Sequence, residues 1–298
     1  MGEDMLRHIW SDEDIRFVKR AYRNQSFVDL LNLSIPEELR EGLDDLGGNM
    51  RFSDPVYCTP GLIIDNTKKH SLRIAYRFGI VSHIGSHDKY IESEGRLVGL
   101  KTGKGLDVEK GKRLLLRHDF VERYVEDVSS NAEEVDHDLA RGTFAKEEEV
   151  ARKIFDDKYF KLFQQFQIAC RCLSGVSDEI PAVMEALVAR LVDHIDSDAV
   201  FYDQFTKRLL NGYSWDGKVP PSSLFTNYMW WFNRVLYCFN KPEVSDEARE
   251  AGIFLIHDEA RFILECWDEV QVESIPFSMK ETLDFIRKRL SEREKVYP

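Results

Sequence analysis

Residues 71–81 read SLRIAYRFGIV and carry the clearest periodicity in the chain. Large apolar side chains occupy every second position, and the positions between them hold basic or small residues. The apolar set is Leu72, Ile74, Tyr76, Phe78 and Ile80. A period of two over this length is typical of a strand with one buried face. The sequence therefore predicts a β-strand over Ser71–Val81.

Residues 51–109 surround this strand with shorter strand candidates, separated by Pro-Gly and Gly signals. These candidates are Val56–Cys58, Leu62–Ile64 and Arg96–Leu100. Their connections are too short for crossover helices, so the sheet should be small and mostly antiparallel. The predicted fold class is α+β, with a small sheet in 51–109 packed against a larger all-helical C-terminal part.

Two domains and one connection are expected. Residues 1–128 would form a helical arm plus the β-sheet domain, and residues 147–298 a helical bundle. The polar segment 129–146 would be a linker or an exposed excursion. Helices are predicted at 147–173, 180–195, 198–211, 222–239, 246–270 and 279–295. Residues 253–256, Ile-Phe-Leu-Ile, are apolar all round, which predicts a central position for the helix that contains them.

The chain has 298 residues and a formal net charge of −12. An acidic surface repels nucleic-acid phosphates and anionic lipid, so nucleic-acid binding is not expected. Five Cys without framework-like spacing predict reduced thiols and a cytoplasmic location. The acidic N-terminal residues lack the apolar core of a signal peptide, and no stretch of about 18 apolar residues predicts a membrane span.

The densest polar cluster, SHIGSHD at 82–88, directly follows the predicted strand. Imidazole and carboxylate groups suit zinc, manganese or iron. His83, His87 and Asp88 are therefore predicted as ligands of a divalent metal, and the alternative is an exposed turn with solvated histidines. The candidates for a fourth ligand are His118, Asp119 and His137, which the sequence does not place in space.

Four of the eight histidines precede an aspartate, at 87, 118, 137 and 257. HD-type phosphohydrolases use such a dipeptide to bridge metals in an all-helical fold. None of the four pairs has the apolar-His-Asp-small-Gly context of that family, and the first falls in the predicted sheet. The dipeptide is therefore a weak resemblance here, and the many aspartates of the chain explain most of its occurrences.

One basic, glycine-bearing stretch begins with KTGKG at 101–105. Backbone N–H groups and lysines can hold a phosphate, so Lys101, Lys104 and Lys112 are candidates for an anion site. The spacing does not match a P-loop, and a hairpin loop with solvated lysines is the alternative.

The predicted central helix is interrupted by His257 and Asp258. A polar group in a buried helix needs a partner. These two residues are therefore candidate catalytic groups, and the alternative is a structural ion pair between Asp258 and Arg261.

Two classes of function remain open. The first is an intracellular binding or regulatory protein, whose aromatic-rich helices, notably residues 228–232 and 237–239, hold a protein partner or a second copy of the chain. The second is a metal-dependent hydrolase, possibly of phosphoesters, that uses the predicted His/Asp cluster. In that case a divalent metal is the implied cofactor.

Overall fold

A computed structural model of the chain describes residues 10–22, 35–47, 66–82, 87–93, 96–101, 105–125, 137–210, 221–269 and 277–294. In chain order these residues form α1 (Asp12–Ala21), α2 (Glu37–Leu46), α3 (Thr67–Val81), β1 (His87–Ser93), β2 (Arg96–Lys101), α4 (Val108–Leu115), a 3₁₀ helix (His118–Arg123), α5 (His137–Ile154), α6 (Asp157–Leu173), α7 (Met184–Leu210), α8 (Pro221–Phe239), α9 (Asp246–Asp268) and α10 (Phe277–Glu294).

Apart from one hairpin, the described residues form an all-helical fold, so the predicted α+β class is wrong. The stretch read as the main strand is α3, which begins where the Asn66 side chain accepts a hydrogen bond from the Lys69 backbone N–H at 2.9 Å. Both sides of this stretch are buried, because Arg73 and Arg77 are only 1% and 3% exposed. The alternation therefore distinguished buried apolar from buried basic residues, and not a core face from a solvent face.

Strand pairing in the described residues is confined to one hairpin, in which β1 and β2 run antiparallel. Ser93 pairs with Arg96 next to the turn, and His87 pairs with Lys101 at the open end. The predicted strand at 96–100 lies within β2. The predicted strands at 56–58 and 62–64 lie outside the described residues.

The long helix α7 occupies the middle of the molecule and packs against α3, α4, α6 and α9. It is one continuous helix where two were predicted, at 180–195 and 198–211. The helix predicted at 147–173 is instead two helices, α5 and α6, because Asp156 caps the start of α6.

The predicted central position of the helix around 253–256 is confirmed. α9 packs against α1, α7, α8 and α10. Leu255 and Ile256 are fully buried in it.

The division into domains remains a prediction. Described residues from both predicted parts contribute to one continuous apolar core. α5 begins at His137, inside the segment predicted as a linker or excursion.

No helix within the described ranges combines the length and the apolar character needed to span a membrane.

Candidate metal centre

Three potential metal ligands converge where α3 meets the 3₁₀ helix. His70 lies in the first turn of α3, and His118 and Asp119 begin the 3₁₀ helix. One ligand atom from each lies within 4.8 Å of the others, and all three side chains are buried. Two imidazoles and a carboxylate at such separations are an arrangement that a divalent metal can bridge.

The central helix α7 adds two carboxylates on either side of the His70 ring. Asp193 Oδ1 is 2.8 Å from His70 Nε2, and Asp196 Oδ2 is 2.8 Å from His70 Nδ1. Asp193 Oδ1 also lies 3.3 Å from His118 Nε2. Because Asp193 contacts both imidazoles, it is the α7 carboxylate placed to complete a ligand set. We call His70, His118, Asp119 and Asp193 the His-Asp cluster.

Both imidazoles are oriented by a hydrogen bond at Nδ1. His118 Nδ1 donates to the Leu115 carbonyl oxygen at 2.8 Å, and His70 Nδ1 donates to the Asp196 carboxylate. With Nδ1 bonded in this way, Nε2 is the nitrogen that could bind a metal after losing its own proton, and metal-bound histidines are commonly fixed by such an acceptor. Both Nε2 atoms point to the same Asp193 oxygen.

Negative charge dominates the surroundings of His118. Burial by itself would lower the pKa of His118, but the carboxylates of Asp119, at 2.7 Å from Nε2, and of Asp193 outweigh it. The pKa of His118 is consequently raised well above its ordinary value. The cluster therefore attracts a positive charge, which a proton or a metal ion can supply.

The α7 carboxylates are held in their ionised form. Burial would raise the pKa of Asp193, yet His118, His70 and Arg190 together lower it well below its ordinary value. Arg190 Nη1 lies 2.5 Å from Asp193 Oδ2, the oxygen that faces away from the imidazole contacts. Arg73 and His70 likewise overcome burial and lower the pKa of Asp196. Ionised carboxylates are the form that binds a metal.

The donor set fits a divalent transition metal. The His-Asp cluster supplies two imidazole nitrogens and two carboxylates, a combination suited to zinc, manganese or iron. Ser71 Oγ lies 3.3 Å from Asp119 Oδ2, but its single proton has a closer acceptor in the Thr67 carbonyl oxygen at 2.9 Å.

The residues predicted as the metal site are placed elsewhere in the chain. His83 lies outside the described residues, and His87 and Asp88 open strand β1. Metal binding by these three residues remains a prediction. Of the three candidates for a fourth ligand, His118 and Asp119 belong to the His-Asp cluster, whereas His137 begins α5.

The predicted anion site is only partly described. Lys101 ends β2, and Lys104 lies outside the described residues. Lys112 is in α4, where its aliphatic stem packs over Gly79 of α3. Anion binding by these lysines remains a prediction.

The candidate catalytic pair in α9 lies at helix contacts. The edge of the Phe232 ring meets the His257 ring, with 5.7 Å between their centroids. Asp258 forms an ion pair with Arg77 of α3 at 3.0 Å. A catalytic role for His257 and Asp258 remains a prediction.

Three residues of the site were not identified from the sequence: His70, Asp193 and Asp196. Two signals were present. Asn66 is a good N-cap for a helix that contains His70, and Arg190, Asp193 and Asp196 recur every three residues, which places them along one side of a helix. Because 71–81 was predicted as a strand, the N-cap at Asn66 was not recognised.

Comparisons of the chain with protein-family models, with curated proteins and with solved structures find no match.

Proposed function

We propose that this protein is a divalent-metal-dependent hydrolase that acts on phosphoesters at the His-Asp cluster. One observation carries the proposal: two buried imidazoles, each oriented by an acceptor at Nδ1, turn their Nε2 atoms toward one carboxylate oxygen of Asp193. Desolvating four ionisable groups is unfavourable unless they are paired or bind a cation. In the structure these groups pair with one another, and a metal ion bound between them would take the place of the imidazole protons at Nε2.

The chain's own residues would hold and orient the metal. His70, His118, Asp119 and Asp193 would bind it, while Asp196 and the Leu115 carbonyl fix the two rings. Arg190 neutralises the second oxygen of Asp193 and keeps that carboxylate in place. When bound, a divalent metal supplies Lewis-acid activation for hydrolysis.

The substrate class comes from a resemblance. HD-type phosphohydrolases bridge metals with a His-Asp dipeptide in an all-helical fold, and His118-Asp119 occupies a buried cluster in an all-helical chain. The residues that follow, Phe120 and Val121, depart from the small-Gly context of that family. Phosphoesters are the chemistry that the resemblance favours.

One open cavity beside the site does not suit a phosphate. It has a volume of about 410 Å³, and its walls include Arg117 and Phe120, which flank the dipeptide. Three acidic residues, Glu38, Glu41 and Asp45, also line it. Arg117 and Arg123 line it as well, and Arg123 pairs with Asp45, so the cavity has mixed charge and does not favour an anionic substrate.

The test is metal content together with hydrolysis. Purified protein is loaded with zinc, manganese or iron(II), and the bound metal and the hydrolysis of bis(4-nitrophenyl) phosphate and 4-nitrophenyl phosphate are measured with and without chelator. We expect stoichiometric metal and a chelator-sensitive activity. Asp119→Asn keeps the side-chain volume but weakens a ligand, so it should lower metal content and reduce activity by at least about 100-fold.

The matched control is the double variant His83→Ala/His87→Ala, which removes two histidines of the originally predicted site. It should keep both the metal and the activity. Failure of the wild-type protein to take up any of the three metals on titration would end the proposal.

A second candidate function, protein binding, rests on the surface of α8. Tyr228, Trp231 and Phe232 of the aromatic-rich helix are buried, but Trp230 and Tyr237 are 41% and 51% exposed. These two lie seven residues apart, on the same side of the helix. Exposed aromatics are frequent anchors of protein interfaces.

The double variant Trp230→Ser/Tyr237→Ser tests this second candidate. If the face binds a partner or a second copy, the variant should lose an association that the wild type shows in sedimentation or in a pull-down from its native lysate. A wild-type protein that stays monomeric and retains no partner would argue against it.

A further inference from the structure

Asp196 is fully buried and accepts hydrogen bonds at both carboxylate oxygens. Its Oδ2 accepts from His70 Nδ1 at 2.8 Å and from Arg73 Nη2 at 2.7 Å. Its Oδ1 accepts from Arg73 Nε at 3.1 Å and from the Tyr22 hydroxyl. Four donors therefore fix the position of the carboxylate that orients the His70 ring.

Tyr22 comes from a distant part of the chain, at the end of α1. Its ring is 2% exposed and packs between Phe17, at 6.5 Å between centroids, and the Arg77 guanidinium, 4.8 Å from the ring centroid. Arg77 is in turn held by Asp258 of α9. The Tyr22 hydroxyl thus reaches Asp196 from a ring that its neighbours keep in place.

Two ion pairs anchor α1 near the site, one buried and one partly exposed. Asp14 is 1% exposed and pairs with Lys69, the residue before His70, at 2.6 Å. Glu13 pairs with Lys207 of α7. α1 is therefore joined to both of the long helices that supply ligands, α3 and α7.

We infer that Tyr22 is a positioning residue of the metal centre, acting through Asp196 on the orientation of His70. The inference rests on the proposed function, because it assigns Tyr22 a role in binding the same metal. Without the hydroxyl, Asp196 Oδ1 keeps only the Arg73 contact, so the carboxylate can turn away from His70 Nδ1. A ring released at Nδ1 presents Nε2 less precisely to the metal. Outer partners of metal-bound histidines typically change metal affinity by about 10–100-fold.

The test compares Tyr22→Phe with wild type in a zinc titration and in NMR of the histidine rings. The substitution removes the hydroxyl and keeps the packed ring, so the variant should fold. We expect its zinc affinity to fall by about tenfold. In the metal-free protein, the NMR signals of the His70 ring should shift in the variant, because the carboxylate that contacts its Nδ1 has lost one of its four donors.

Tyr228→Phe is the matched control, since it deletes the hydroxyl of a tyrosine that is also buried, at 3% exposure, in α8. It should bind zinc with wild-type affinity. A Tyr22→Phe variant with unchanged zinc affinity and unchanged His70 ring signals would overturn the inference. If the wild type binds no zinc but the His70 ring signals still shift in Tyr22→Phe, and not in Tyr228→Phe, the proposed function fails while the connection between Tyr22 and His70 stands.

Discussion

At the scale of single residues, His70 shows how burial and charge can define a site that no motif marks. One imidazole touches two carboxylates of α7, and each ring nitrogen has its own partner at 2.8 Å. The two carboxylates differ in their other contacts. Asp196 also accepts a hydrogen bond from Arg73, whereas Asp193 also contacts His118. In the proposed metal site, Nδ1 would orient the ring and Nε2 would bind the metal.

A different buried acid, Glu259 of α9, supports a prediction about pH and stability. Burial, and to a lesser degree the neighbouring negative charge of Asp198, raise the pKa of Glu259 well above its ordinary value. At a pH below the ordinary value of about 4.3, Glu259 is protonated in both the folded and the unfolded chain. Above it the unfolded chain releases a proton that the folded protein retains, so the stability contributed by this group falls as pH rises toward its raised folded pKa.

Glu259→Gln removes that titration and keeps the side-chain size. We expect the variant to melt higher than wild type at about pH 8, by about 3 °C or more, with a smaller gain at about pH 5. Thermal melts of both proteins at the two pH values provide the measurement. A gain that is the same at both pH values would show that Glu259 is already ionised in the folded protein.

At the scale of elements, α3 explains why the sequence misled. The apolar residues of 71–81 include β-branched and aromatic side chains, which favour strands, and their period of two is genuine. A helix buried on nearly every side does not need the period of 3.6, because Arg73 and Arg77 on the remaining side are also buried and paired. Periodicity reports the contrast between core and solvent, which α3 lacks.

The approach of α4 to α3 supports the second prediction, which concerns Gly111. A Cβ at Gly111 would overlap the ring of Phe78 in α3, whereas a Cβ at Gly142 in α5 would meet nothing within 4 Å. We expect Gly111→Ala to destabilise the protein by about 1–3 kcal/mol through overpacking. Gly142→Ala should stabilise it by about 0.5–1 kcal/mol through helix propensity alone.

Urea unfolding of the two variants measures the change in the free energy of unfolding for each. Both variants carry the same Gly→Ala substitution, so they differ only in its surroundings. Because α4 carries Leu115, whose carbonyl holds His118, Gly111→Ala should also weaken metal binding. Equal stabilities for the two alanine variants would show that α3 and α4 are not in close contact.

The central helix α9 leads to a third prediction, made from the sequence and strengthened by the packing. Leu255 is fully buried in a helix that contacts four others. Leu255→Asp places an unpaired charge in that core and should destabilise the fold by about 4 kcal/mol or more. The control is Glu250→Lys, a charge change at an exposed position of the same helix.

A thermal melt of each variant is the measurement. Glu250→Lys should melt close to the wild type. A Leu255→Asp melt that also stays at the wild-type temperature would place α9 at the periphery of the protein.

At the scale of the whole molecule, the proposed ligands come together only through tertiary packing. Residues 70, 118–119 and 193 come from α3, the 3₁₀ helix and α7, which are far apart in sequence. The helical character of the C-terminal half could be predicted from its apolar patterns, although the break at 155–156 was not predicted and the predicted break at 196–197 lies within the continuous helix α7. The central position of α9 could be predicted because residues 253–256 are apolar all round. His118 and Asp119 could be named as candidates, but their partners could not, since no local pattern connects a histidine to carboxylates two helices away.

The N-terminal helix adds a further long-range element. Asp14, Glu13 and Arg20 of α1 form ion pairs with α3, with α7 and with the residue that follows α9, respectively. Tyr22, the residue directly after α1, donates a hydrogen bond to Asp196. The position of α1 depends on these ion pairs, in a part of the chain that the sequence predicted only as a helical arm. Sequence patterning identifies the helix, but pairings of this kind become visible only in three dimensions.

Anomalous X-ray scattering from crystals grown with zinc or manganese tests the central claim most directly. The account predicts one strong peak at about 2.0–2.3 Å from His70 Nε2, His118 Nε2 and carboxylate oxygens of Asp119 and Asp193. A peak at His83, His87 and Asp88, or metal-soaked crystals with no peak between α3 and α7, would contradict it.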